Sequence, residues 1–194
     1  MYQSINLNIS KDVDLTTQEL DLFDSLLTHK FVKKKENILE KGQLCDFEAY
    51  IVKGCFKTFF LDNNNNEVIL SFPVEDWWIG DMVSFHQFLP SKLYIEALED
   101  SEILMINAKK KEEIYQKFPK FERVFRLKIH RHLIALQERL YFNYTLNAQE
   151  RFDVFTSKYP HLLQRIPQLL IANYIGITPE SLSRLRKQAL KKLV

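Results

Sequence analysis

At 194 residues, 46% of them apolar and 13% aromatic, the chain can form one large or two small domains with packed cores. No apolar run reaches the about 18 residues of a membrane span, and the N-terminal MYQSINLNISKDVD lacks the basic start and apolar stretch of a secretion signal. Two cysteines, Cys45 and Cys55, are too few for a disulfide scaffold or a four-thiolate metal site, so a cytoplasmic protein with reduced thiols is expected. The net charge of +2 hides a division. From Thr145 onward eight Lys and Arg stand against three Asp and Glu, giving +5, while the remaining nineteen against twenty-two give −3. A basic C-terminal segment on an acidic body suits a partner that carries phosphates.

In chain order, 16–28 (TTQELDLFDSLLT) predicts a short helix with Leu20, Phe23, Leu26 and Leu27 on one stripe. Thr16 or Thr17 is its cap and Glu19 supports the first turn. From Phe31 the period changes to short β-branched and aromatic runs over 31–42, 49–62, 66–81 and 94–108. They are separated by turns at Lys41-Gly42, Lys53-Gly54 and Asp62 to Asn66, the last an exposed hairpin tip. Strands at this spacing predict a jelly-roll. Helical periodicity resumes over 109–118, then over Lys120 to Thr145. There Phe121, Phe125, Ile129, Leu133, Leu136, Leu140 and Tyr144 step by three or four residues. Val124, Leu127, Ile134 and Tyr141 widen the apolar surface beyond the roughly 100° one domain needs, so a second copy of the same helix is expected against it. One more helix, 147–159, precedes the last quarter.

That last quarter, 166–188, carries the most informative pattern. Leu169, Leu170, Ala172 and Ile175 mark one amphipathic run, Gly176-Ile177-Thr178-Pro179 a turn, and Leu182, Leu185 and Ala189 a second run whose other face holds Ser181, Arg184 and Lys187. Two short helices about a glycine turn, the second basic outside, form a helix-turn-helix pattern for double-stranded DNA. Catalytic patterns are missing by contrast. His130 and His132 point apart on one helix, no strand alternates two histidines, and the four glycines sit too far apart for a phosphate loop. No enzyme and no metal site are expected, and the cupin-like metalloenzyme reading is set aside.

The order of parts, the turn glycines Gly42 and Gly54, the spacing from Ile51-Val52-Lys53-Gly54 to Ile79-Gly80-Asp81, the strand 95–106 and the core IANYIGITPESLSR at 171–184 together resemble the Crp/Fnr family of bacterial transcription regulators over essentially the whole chain. The resemblance implies an α+β protein. Its parts are an N-terminal double-stranded β-helix (jelly-roll) effector domain over 1–118, a long dimerisation helix over 119–145, and an all-α helix-turn-helix domain over 146–194. It implies a homodimer reading a near-palindromic site, with RNA polymerase as a further partner. The alternative is a ligand-sensing β-roll whose helix-turn-helix serves protein contacts.

By the same resemblance Glu180 and Arg184, four apart on one helix face, are the base-reading pair. A carboxylate there can accept from a cytosine amino group while a guanidinium donates to guanine O6 and N7. Ser181 and Lys187 share the face, Thr178 caps the helix beside a phosphate, and Pro179 starts it. The family's nucleotide site pairs Gly-Glu with a later Arg-Ser/Thr. Here Gly80, Asp81, Ser91 and Lys92 stand in those places, with a shorter carboxylate and no phosphate-pairing Arg. Cyclic AMP and cyclic GMP are therefore not expected as effectors, another small molecule is left open, and two cysteines cannot hold an iron–sulfur cluster. Family members continue into a wing hairpin. Here the sequence reads Lys191-Lys192-Leu193-Val194, a basic tail expected to supply part of the backbone contact.

Overall fold

The computed structural model describes residues 2–191, with side chains described through Lys187. It divides into two compact units, residues 1–60 with 71–131, and residues 61–70 with 132–194. None of the described helices is long and apolar enough to cross a membrane.

The first unit opens with α1 (Gln3–Ser10) and α2 (Thr17–Leu26). Thr16 caps α2 in a reciprocal box: Thr16 Oγ1 accepts from the Glu19 N–H, and the Glu19 carboxylate accepts from the Thr16 N–H at 2.7 Å. The strands follow as β1 (Thr28–Val32), β2 (Asn37–Leu39), β3 (Phe47–Lys53), β4 (Phe56–Leu61), β5 (Glu67–Ser71), β6 (Trp78–Ile79), β7 (Tyr94–Ala97) and β8 (Ser101–Asn107). The helix α3 (Met82–Gln87) lies between β6 and β7. Two four-stranded sheets, ordered β1-β8-β3-β6 and β2-β7-β4-β5, make the predicted roll, and their described pairings are antiparallel.

The two-residue period of a strand places cores on both faces of the first sheet. Phe47, Ala49 and Ile51 of β3, with Ile103 of β8, turn into the roll beside Val32, Phe56 and Ile95. The alternate residues, Tyr50 of β3 with Leu104 and Ile106 of β8, turn out under Ile5, Ile9, Phe23, Phe121 and Phe125. Burying each large side chain of these clusters stabilises by about 1.5–3 kcal/mol. The outer core is what docks α1, α2, α4 (Ala108–Lys117) and the first part of α5 (Lys120–Thr145). α2, α4 and α5 lie within a few residues of the helices expected from periodicity, whereas α1 and α3 are not among the expected elements.

In the second unit α6 (Ala148–Lys158) is capped by Asn147 and Glu150, again reciprocally. It is followed by α7 (Leu162–Arg165), α8 (Gln168–Ile175) and α9 (Pro179–Lys191). Ile69, Phe152, Phe155, Leu162, Ile166, Ile171, Ala172, Ile175 and Leu182 are its buried apolar residues among those described. Lys192, Leu193 and Val194, the tail to which part of the backbone contact was ascribed, lie outside the described residues.

Candidate nucleic-acid interface

Two local devices fix the angle between α8 and α9. Gly176 adopts φ 75°, a left-handed conformation that glycine takes without Cβ strain. This lets the Ile177 N–H reach the Ala172 carbonyl at 3.0 Å and the Gly176 N–H reach those of Ala172 and Asn173, closing α8 as a Schellman turn. Thr178 then starts α9: its hydroxyl accepts from the Ser181 N–H at 3.2 Å, and its carbonyl accepts from the Leu182 N–H at 3.0 Å. Pro179 is the first helical residue, where a missing N–H costs nothing. Leu182, fully buried, anchors α9, and Arg151 donates Nε to the Ile175 carbonyl at 2.9 Å and Nη1 to that of Leu146 at 2.6 Å.

With Leu182 inward, Thr178, Glu180, Arg184 and Lys187 are all exposed, and Ser181 is half-buried. The five residues singled out in the sequence therefore lie along α9 from its cap to its third turn. The exposed ion pair that i, i+4 spacing permits between Glu180 and Arg184 is not formed among the described residues. Arg184 instead donates Nη2 to Ser181 Oγ at 3.1 Å. The Glu180 carboxyl is held below its ordinary range by its own backbone N–H, then by the Thr178 hydroxyl and the charge of Arg184. It is an ionised acceptor at neutral pH, beside a guanidinium whose fork is only partly used. That combination can meet a cytosine amino group and a guanine edge.

The residues at the nucleotide-site positions behave differently. Asp81 and Ser91 do come together, 5% and 3% exposed, but they serve one another and the backbone. Asp81 Oδ1 caps α3, accepting from the Val83 and Ser84 N–H groups at 3.0 and 3.3 Å, and Oδ2 accepts from Ser91 Oγ at 2.7 Å. Ser91 Oγ in turn accepts from the Leu93 N–H at 3.0 Å. Gly80 lies against the roll, where a Cβ would stand 3.0 Å from the Phe47 carbonyl oxygen. Lys92 is exposed.

On α5, Phe121, Val124 and Phe125 are buried in the outer core, while Ile129, Leu133, Leu136, Leu140 and Tyr144 range from 39% to 83% exposed. The apolar stripe outruns what the chain itself covers. Arg139, which is not among the expected site residues, donates its guanidinium to the Ile69 and Leu70 carbonyls and stacks 4.1 Å from the centre of the Tyr174 ring. Arg139 lies off the apolar stripe, in the polar run Gln137-Glu138-Arg139 between Leu136 and Leu140, where periodicity gives no signal of it.

Comparison with known proteins gives this geometry a context. Residues 29–118 match the cyclic nucleotide-binding domain family. The anaerobic regulatory protein of Pasteurella multocida is 27% identical over 187 residues, covering 88% of this chain, which spans just under two thirds (66%) of that relative's length. The structure of FixK2 from Bradyrhizobium japonicum superposes with a TM-score of 0.76 at 16% identity, covering 86% of this chain and 85% of that one. A transcriptional regulator described as of the Crp/Fnr family, from Eubacterium rectale, gives 0.70 at 18% identity, covering 92% and 85%. The chain thus shares the fold of those two solved structures, and its first unit carries the match to the cyclic nucleotide-binding domain family.

Proposed function

We propose that this protein binds a near-palindromic DNA site as a homodimer, one α9 per half-site, without cyclic AMP in its roll. The observation that carries the reading is the exposed quartet Thr178, Glu180, Arg184 and Lys187 on a helix held from behind by Leu182. Glu180 and Arg184 read base edges, Thr178 and Lys187 meet phosphates, and Ser181 orients Arg184. The second copy is supported by the uncovered stripe from Ile129 to Tyr144, whose steps of three and four residues suit a paired helix. The exclusion of cyclic AMP is supported by the saturated Asp81 and Ser91 and by the missing guanidinium. Such a regulator acts in the cytoplasm, with RNA polymerase as its second macromolecular partner.

Selection of bound sequences from a random duplex pool tests this directly. The expected outcome is two half-sites in inverted repeat, about one helical turn apart centre to centre, with binding that weakens as salt rises. Glu180→Ala and Arg184→Ala each relax discrimination by about 1–3 kcal/mol at their own base position. A consensus unchanged by both substitutions sinks the assignment of α9 as the reading helix.

A further inference from the structure

Arg139 is a half-buried cation with no carboxylate partner among the described residues. Its Nη2 donates to the Ile69 carbonyl at 2.7 Å and its Nη1 to that of Leu70, but its Nε is buried and has no acceptor among the described residues. Burial pulls its pKa below the ordinary guanidinium value, only partly offset by the neighbouring Tyr174 and Tyr159. An orphaned donor on an unbalanced charge calls for a physical explanation, because interior charges are ordinarily paired.

The side chain borders a cavity of ≈ 50 Å³ within the second unit. Arg151 and Lys158 of α6 line the same cavity, with Asn143 of α5 and Tyr174 of α8, and no Asp or Glu is among the described lining residues. Lys158 pairs at 3.0 Å with Glu138, so three cations face the space and one carboxylate balances one of them. Arg151 is committed to backbone carbonyls, which accept hydrogen bonds but carry no net charge. Water needs about 10–15 Å³ of such space per molecule, so a few waters fit and would satisfy Nε. Water leaves the charge uncompensated. An anion of a few heavy atoms answers both needs, and a guanidinium is suited to meeting an oxyanion through parallel N–H groups.

We propose that this cavity binds a small inorganic oxyanion, held by Arg139, Arg151 and Lys158 between α5, α6 and α8. The anion neutralises the excess charge and joins the first helix of the helix-turn-helix to the two helices behind it. The site is separate from the Asp81–Ser91 position in the roll and from the exposed face of α9, and it needs no DNA to fill.

The test uses the whole chain without DNA. Sodium phosphate and sodium nitrate are titrated by isothermal calorimetry at an ionic strength held constant with sodium chloride, and thermal unfolding is followed by far-ultraviolet circular dichroism. Saturable one-to-one binding of phosphate or nitrate is expected, with a melting temperature that rises with that anion and not with chloride. Arg139→Lys, which keeps charge but loses the fork, weakens binding at least tenfold. Lys158→Gln weakens it several-fold and carries the test if Arg139→Lys does not fold, since the Lys158 side chain is 41% exposed. Lys187→Gln, on the exposed face of α9, leaves binding unchanged. The proposal is overturned if neither anion differs from chloride, if binding survives Lys158→Gln at full strength, or if Lys187→Gln removes it.

Discussion

Removing one partner of the Lys111–Glu48 pair should unfold the first unit far more readily than removing both. Lys111 and Glu48 are 3% and 7% exposed, with Nζ and Oε2 in direct contact. The ammonium also lies 4.2 Å from the ring centre of Phe125 and 5.2 Å from that of Phe85. Burial pulls the Lys111 pKa below the ordinary lysine value, against the opposing pull of Glu48. Lys111→Met keeps the length of the side chain and sets a thioether against those aromatic rings, so packing changes little. What changes is Glu48, left as an ionised group in the interior. Stranding one member of a buried pair costs about 3–5 kcal/mol, whereas replacing both with groups of similar volume is close to neutral. Lys111→Met should therefore lower stability by about 3–5 kcal/mol, and Lys111→Met combined with Glu48→Leu should recover most of it. Urea unfolding followed by tryptophan fluorescence measures this cleanly, because Trp77 and Trp78 both belong to the first unit and Trp78 packs edge-on against Phe125 at 5.1 Å. A single substitution costing under about 1 kcal/mol, or a double variant as unstable as the sum of its parts, would refute the argument that the pair is a coupled interior charge.

Two further outcomes follow from neighbouring geometry. Glu19 is held below the ordinary carboxyl range, first by Lys120 and then by the Thr16 backbone N–H, so the folded state binds its proton less readily than the unfolded chain. The resulting stabilisation is present above the unfolded value and lost as pH falls through the folded one. Glu19→Gln should cost about 1 kcal/mol at pH 7, the scale of a lost helix cap, and progressively less as the pH falls through the folded value, as read from urea midpoints on either side of it. In the roll, calorimetry with cyclic AMP should give no binding heat. Lys92→Arg alone should not restore it, because Asp81 and Ser91 remain committed to α3 and to each other. Binding at micromolar concentration by the unaltered chain would contradict that account.

What the sequence showed plainly was whatever rests on repetition. Phe121 through Tyr144 repeat over seven turns, and the helix they mark spans Lys120–Thr145 as expected. The Thr16–Glu19 box and the Gly176 turn were legible because each depends on residue types at fixed short offsets. α1 was hidden because Asn6 and Asn8 occupy inward positions where an apolar residue would have kept the period. Asn6 Nδ2 donates to Asp24, and Asn8 Oδ1 accepts from Lys128 at 2.6 Å, partners 18 and 120 residues away. α3 was hidden by brevity, since six residues cannot show a helical period and its cap, Asp81, had been given another role by resemblance. The half-buried Ser181 and the cavity behind α8 depend on packing between elements, which periodicity along one element does not encode. Leu169 reads as core in the sequence yet stands 56% exposed at the start of α8.

The unit that contains α8 and α9 is not continuous in the chain, because residues 61–70 belong to it together with 132–194. This bears on any attempt to lift the helix-turn-helix out as a cassette. A fragment beginning at His132 would carry Arg139 without the Ile69 and Leu70 carbonyls that it uses, leaving its donors stripped of their acceptors. Grafting α5 to α9 onto a foreign roll would raise the same mismatch unless that roll presented a hairpin with two outward carbonyls at the same height. The ten-residue segment around the asparagine run thus comes from the first half of the chain, yet the second unit takes its hydrogen-bond acceptors for Arg139 from it, so both pieces have to travel together.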